Sequence, residues 1–321
     1  MVPSRLRVIQ VGLGAMGRRL TPFLLERPNL HVVGAVDVDP RVVGRDLGEV
    51  AELPGRIGVK VAGSVGEALA ETAADAALLT TVSGFARAKP QIDELLQHKL
   101  NVISSCEELS FPWLTHPKLS AEIDRAAKAA GVSVLGTGVN PGFLMDALPI
   151  SLTAISRNVK KVTVLRYQDA RFRRLPFQQK IGAGLTLEQF EQKKSAGTLR
   201  HVGLTESMHM IAFRMGWTLD RTEDVISPVV AESEVISGDI TVRPGMARGV
   251  QQIGSGYVGS EERMRLEFRA CLGEDDVQDT VIIAGEPEMR FTIAGGVNGD
   301  VATCAILTNA IPIVVDAAPG L

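Results

Sequence analysis

Glu107 and Glu108 stand side by side in the stretch Ser105-Cys106-Glu107-Glu108, directly after a short apolar run that reads as a strand, residues 101–104. A carboxylate enclosed by apolar surroundings is pushed towards neutrality, and it then exchanges protons usefully near pH 7. Successive side chains of a strand point to opposite faces, so at most one of the two acids faces a ligand at that strand end. Position alone leaves a plainer reading open: two solvated loop acids, or one of them capping a helix that begins near Pro117. The second constellation is Gly12-Leu13-Gly14-Ala15-Met16-Gly17, a G-x-G-x-x-G pattern. Gly12 makes a tight turn, Gly14 lets a pyrophosphate approach the backbone, and Gly17 lets a helix pack on a strand. The free N–H groups at the helix start would hold the phosphates. A second apolar run, 32–36, ends in Asp37, at the spacing where an acid accepts the ribose hydroxyls of a dinucleotide. Asp37 favours NAD and repels a 2′-phosphate, while Arg41 and Arg45 close by would permit NADP.

Other chemistry-bearing residues are less decisive. Asn140-Pro141 reads as the N-cap and first position of a helix over 144–155, whose positive end would hold a carboxamide or polarise a carbonyl. Good capping alone explains the same residues. His201 follows Arg200 and could line a substrate cleft, although a surface or capping histidine is the favoured reading; His209 is the other histidine of the second half. Arg171, Arg173 and Arg174 read as a solvated loop or as a clamp for an anionic group. No zinc-protease, paired-cysteine or calcium-loop motif is present, so no metal is expected.

The elements that must position these residues alternate. Residues 8–11, 32–36, 59–61, 76–79, 101–104 and 132–135 read as strands, with helices over 20–25, 65–69, 91–96 and 119–130. Ser64 is a candidate cap and Gly131 a stop. This alternation predicts an α/β domain, a Rossmann doubly wound parallel sheet. Ligands of such sheets lie at the carboxyl ends of the strands, which brings Gly12–Gly17, Asp37, Thr80, Thr81, Ser105, Glu107, Glu108 and 136–141 to one edge. Beyond it the pattern becomes α+β, with helices over 187–194 and 205–215. Strands at 161–167, 225–235, 240–242, 264–268, 277–283 and 289–293 predict a mainly antiparallel sheet. An apolar helix over 301–311, capped by Asn298 or Asp300, reads as returning to the nucleotide domain. The expected division is 1–140 for nucleotide binding, 141–300 for substrate and dimerisation, and 301–321 for the returning helix. No closing element is evident in Pro319-Gly320-Leu321.

With 321 residues, 45% hydrophobic content and a net charge of −3, the chain is long enough for two domains and lacks a nucleic-acid or anionic-membrane surface. Three widely spaced cysteines make no disulfide framework. The first strand starts within a few residues of Met1, and no apolar run reaches membrane-spanning length, so a cytoplasmic protein is expected.

The segments Val-Gly-Leu-Gly-Ala-Met-Gly at 11–17, Cys-Glu-Glu-Leu-Ser-Phe-Pro at 106–112 and Gly-Thr-Gly-Val-Asn-Pro-Gly-Phe at 136–143 resemble the 2,4-diaminopentanoate dehydrogenase family. That family includes the native amine dehydrogenases and is related to dihydrodipicolinate reductase. His201-Val-Gly-Leu-Thr-Glu-Ser and Pro244-Gly-Met extend the resemblance along nearly the whole chain. It implies an NAD(P)-dependent amine dehydrogenase that joins a small ketone or aldehyde and ammonia, with a glutamate assisting the chemistry. Glu107 matches that glutamate better than Glu108. It also implies a homodimer and, as pocket residues, Phe143, Leu144, Phe172, Phe177, His201, Met208 and Thr303. Their apolar character suits a short aliphatic substrate over a diamino acid. Four rival readings remain in view. A narrow 2,4-diaminopentanoate dehydrogenase shares every motif. Dihydrodipicolinate reductase itself would need adjacent histidines, and a homoserine-dehydrogenase-like enzyme a lysine at position 107. A non-catalytic NAD-binding sensor would keep Gly12–Gly17 and Asp37 without needing the acid.

Overall fold

The computed structural model describes residues 5–173, 175–199 and 201–321. The chain divides into two compact units, residues 5–142 with Asn298–Leu321, and Phe143–Val297.

The first unit follows the alternation in chain order: β1 (Leu6–Val11), α1 (Ala15–Leu25), β2 (Leu30–Val36), α2 (Leu47–Val50), β3 (Val61–Ala62), α3 (Val65–Ala68), β4 (Ala76–Leu79), α4 (Phe85–Gln97), β5 (Asn101–Ser104), α5 (Pro117–Ala130) and β6 (Val134–Gly136). The six strands form one sheet in the order β3-β2-β1-β4-β5-β6, and every pairing is parallel. This is the Rossmann arrangement, whose central strands are buried on both faces. Val8, Ile9, the whole of β4, Val102 and Ile103 accordingly have almost no exposure. Ser64 caps α3 by accepting from Glu67 N, and Gly131 ends α5 in the left-handed region. Helix α4 starts at Phe85 instead of Gln91. Phe85, Ala88, Ile92 and Leu95 form one buried stripe that carries the helix through Pro90.

The second unit begins with α6 (Ala147–Thr153) and β7 (Arg157–Asp169), then α7 (Leu175–Lys180), α8 (Leu187–Ser195), α9 (Leu204–Met215), β8 (Arg221–Val230), β9 (Val235–Ser237), β10 (Ile240–Val242), β11 (Ala247–Val258), β12 (Glu261–Cys271), β13 (Gln278–Glu286) and β14 (Met289–Ala294). Its large sheet runs β14-β13-β7-β12-β11-β8 and is antiparallel except for the β7–β12 pair. Strand β11 escapes the sequence pattern because Gly249, Gly254 and Gly256 break its apolar run. A Cβ at Gly254 would lie 3.0 Å from Leu204 and 3.1 Å from Met208, so the glycine lets α9 lie close on the sheet.

The chain then returns to the first unit as α10 (Gly299–Val315). Asn298 caps it, its side chain accepting from Asp300 N and Val301 N. Cys304, Leu307, Ile311 and Val314 share one core with Val8, Leu20, Leu24 and Ile103. Past α10, Gly320 forms a parallel bridge with Ser133: Val134 N donates to Gly320 O at 2.8 Å and Gly320 N to Val132 O at 3.1 Å.

Candidate functional site

The first unit's glycine turn has the geometry of a dinucleotide cradle. Gly12 lies at φ +90°, where an L side chain is strained. A Cβ on Gly17 would fall 1.9 Å from Gly12 O, so nothing larger than glycine fits there. Around Gly14 there is nothing within 4 Å of such a Cβ, which leaves the turn open on the side where phosphates would approach. Buried Gln10 fixes the turn from below: its Nε2 donates to Gly17 O at 3.0 Å, and Thr21 Oγ1 donates to its Oε1 at 3.0 Å. Thr80 Oγ1 donates to Gly12 O at 2.8 Å. Asp37 sits against the same turn, its carboxylate accepting from Leu13 N at 2.6 Å and from Asp39 N at 2.8 Å. Leu13 is buried beneath the turn and Ala15 opens α1. These residues fit a bound NAD. Arg41, the cation expected beside Asp37, is 86% exposed and its guanidinium donates to the Asp39 carboxylate.

Beside the cradle, the ends of β4, β5 and β6 open into a cleft of about 220 Å³. Met16, Thr80, Thr81, Ser105, Glu107, Asn140, Pro141 and Thr303 line it, so eight of the sequence candidates meet there. Val82, Ser83, Thr137, Gly138 and Val139 complete the wall. Thr137, Gly138 and Val139 belong to the stretch expected at this edge, whereas Val82 and Ser83 have no signal in the sequence beyond following a strand end. Thr303 reaches the cleft from α10, where its Oγ1 accepts from Val139 N at 3.2 Å.

The two glutamates diverge. After β5 the chain turns into a 3₁₀ segment, Glu107–Leu109. Glu107 lines the cleft, and no described residue hydrogen-bonds to its carboxylate. Glu108 turns away: its Oε2 accepts from Phe85 N at 2.7 Å, with His116 Nε2 3.8 Å distant. It therefore serves as the missing cap of α4, whose own N-cap is Gly84. The capping expectation is correct in kind, but the helix is α4 and not the one starting at Pro117. Cys106, directly before them, is buried with its Sγ donating to Ser83 O, and burial pushes its thiol up to about 12, so it stays protonated.

Asn140-Pro141 does not begin a helix, which corrects the dipole reading. Gly142, at φ +120°, breaks any helical continuation, and α6 starts seven residues after Asn140, capped by Asp146 accepting from Ala147 N.

The remaining candidates belong to the second unit. Leu144 is buried, Phe143 is partly exposed and Phe172 is 81% exposed. Met208 is a core side chain between α9 and the sheet. Arg173 stacks over the Phe177 ring at 4.1 Å, and Arg174 lies outside the described residues. His201 packs edge-on to Phe268 at 4.5 Å, and its backbone pairs with the Gln252 side chain. Burial, with the nearby charges of Lys180, Arg166 and Arg173, pushes its imidazole down to about 3. Sequence reasoning missed Arg166, which is 2% exposed on β7 and paired with Asp279 at 2.8 Å. That pair engages one of the five N–H donors of the guanidinium, and among the described residues no other side chain accepts from it.

A Rossmann sheet with an intact cradle, and a carboxylate in the adjoining cleft, define an NAD(P)-dependent oxidoreductase. Residues 143–321 match the family model described as the 2,4-diaminopentanoate dehydrogenase C-terminal domain, and residues 6–105 match that of the dihydrodipicolinate reductase N-terminus. The chain belongs to the 2,4-diaminopentanoate dehydrogenase family. It is 34% identical to 2,4-diaminopentanoate dehydrogenase of Acetoanaerobium sticklandii, over 99% of this chain and 92% of that protein. It is 22% identical to an amine dehydrogenase of Streptomyces virginiae, over 97% and 92% of the two chains. Among solved structures, an amine dehydrogenase from Mycobacterium smegmatis shares the fold with a TM-score of 0.85 at 24% identity, over 99% of this chain and 94% of that one.

Proposed function

We propose that the chain catalyses reversible reductive amination of a small ketone or aldehyde by ammonia, with Glu107 carrying the protons. The observation behind this reading is the placement of the two acids: Glu108 is committed to Phe85 N, and Glu107 faces the cleft beside the nucleotide cradle without a partner. Gly12–Gly17 would hold the pyrophosphate and Asp37 the adenosine ribose, with Thr80, Thr81, Ser105, Asn140 and Pro141 along the nicotinamide side. When bound, the nicotinamide supplies the hydride chemistry. The Glu107 carboxylate takes a proton from ammonium, and the freed ammonia adds to the carbonyl carbon. Glu107 then returns the proton to the carbinolamine hydroxyl, the carbon–oxygen bond breaks, and water leaves. The carboxylate, ionised again, faces the positive charge of the iminium, which a lysine at this position would repel. The test follows NADH consumption with cyclohexanone or a short ketone, with and without ammonium. Ammonium-dependent oxidation with amine as product is expected, and ammonium-independent ketone reduction would overturn the reading.

A second reading, a substrate that carries a carboxylate as 2,4-diaminopentanoate does, is favoured by Arg166. Four of its donors lack a described acceptor, and Lys180 and Arg173 add positive charge around His201. Turnover of 2,4-diaminopentanoate against simple aliphatic amines decides between the two. Tight NADH binding with no turnover of either class would identify a sensor. The same reading carries a cytoplasmic homodimer working on small molecules, and light scattering on the purified protein checks the dimer. No helix among the described residues is long and apolar enough to cross a membrane.

A further inference from the structure

We propose that Asp39 makes the nucleotide unit select NAD over NADP by keeping Arg41 from a 2′-phosphate. Asp37 is held in place by two backbone donors, Leu13 N and Asp39 N, and so marks where the ribose hydroxyls would lie. A 2′-phosphate at that place brings negative charge against a carboxylate and needs a cation, arginine above all, to offset it. Arg41 and Arg18 stand beside the site and each has another acceptor, while Arg45, the further cation in the same stretch, is exposed. Arg41 Nε lies 3.0 Å from both Asp39 oxygens, and its Nη2 donates to Oδ2 at 2.7 Å. The turn itself presents the Asp39 carboxylate, because Arg41 N also donates to Oδ1 at 2.9 Å. Arg18 donates from Nε to Leu13 O at 2.9 Å, and its Nη1 lies 4.0 Å from Glu52.

Asp39 thus acts by holding Arg41 in competition with a 2′-phosphate. The pair is exposed and contributes little to folding stability, so the quantity to measure is selectivity. Asp39 is a positioning residue here, since it acts through Arg41. The role is independent of Glu107 and of which amine is turned over.

The experiment measures dissociation constants of NAD⁺ and NADP⁺ by calorimetry on the full chain, with no turnover involved. Wild type should prefer NAD⁺. Asp39→Asn keeps the shape of the side chain and an acceptor for Arg41 N while removing the charge. It should shift the preference towards NADP⁺ by about tenfold or more, the scale of one charge-assisted contact. Arg41→Ala in the Asp39→Asn background should cancel most of that gain, and the gain itself should shrink as salt is raised. An unchanged NADP⁺ to NAD⁺ ratio in Asp39→Asn overturns the proposal. So does a gain that survives Arg41→Ala, because charge removal alone would then explain it, or a wild type that binds both nucleotides equally. Asp39→Ser, read in the same way, replaces Asp39→Asn if thermal melting shows the latter misfolded.

Discussion

Adjacent acids with different surroundings show how little separates a carboxylate that caps a helix from one that lines a cleft. Glu107 and Glu108 differ by one position in a 3₁₀ turn; one lines the cleft and the other closes the start of a helix. Glu107→Gln should lower ammonium-dependent turnover on the order of a hundredfold, the usual scale for losing a general acid–base group, with the NADH dissociation constant kept. Steady-state kinetics beside a binding titration checks it. Strand alternation could not assign the pair, because β5 ends at Ser104 and both acids sit past the strand. His201 carries a pH signature. Its folded pKa of about 3 lies below the ordinary value of 6.5, so the unfolded chain binds the extra proton between those values. Its contribution is fully present above pH 6.5 and is lost as pH falls towards 3. Urea denaturation at pH 7 and pH 5 should show wild type losing more stability than His201→Gln over that interval.

At the scale of elements, the sequence reveals most where one physical pattern dominates. The continuous apolar runs of β1, β4 and β5, the glycine turn and the Ser64 and Gly131 boundaries are each local signals, and each appears in the structure. Elements held by distant contacts are harder to read. Helix α4 takes its cap from Glu108, which is 23 residues away from Phe85, so no local N-cap marks its start. Strand β11 carries Gly254 because α9 lies close on it, with Gly249 and Gly256 crowded by Cys271 and Met264 of β12, and a local pattern cannot show those approaches. The Asn140-Pro141 signature looks like a helix start until Gly142 turns the chain. Glu108→Ala should destabilise the protein by about 0.5–2 kcal/mol, the range for a lost cap, and thermal or urea unfolding measures it. Ammonium-dependent turnover should be kept in that variant at temperatures where it stays folded, since the Glu108 carboxylate is turned to Phe85 N and not to the cleft.

At the scale of the whole molecule, the nucleotide unit is built from two distant stretches of chain. Residues 5–142 supply the sheet, and Asn298–Leu321 supply α10 and the segment beside β6. Ser133 Oγ donates to Ala318 O at 2.9 Å and Leu321 N to Asp124 Oδ1 at 3.2 Å, so the last residues cover an otherwise open strand edge. Removing residues 317–321 should lower the melting temperature and increase aggregation, with light scattering during a thermal ramp as the readout. Length allowed the two-domain expectation and the resemblance offered Thr303 as a pocket residue, while three-dimensional packing adds its contact with Val139 N in the cleft wall.

The return of α10 also bears on how the protein is born. On the ribosome, the glycine turn and all six parallel strands emerge before the second unit is even begun. The core they share with Cys304, Leu307 and Ile311 has to wait until residues 299–315 have been made. A nascent chain stalled before residue 298 should therefore hold NAD poorly, and nucleotide retention would report that synthesis has passed α10.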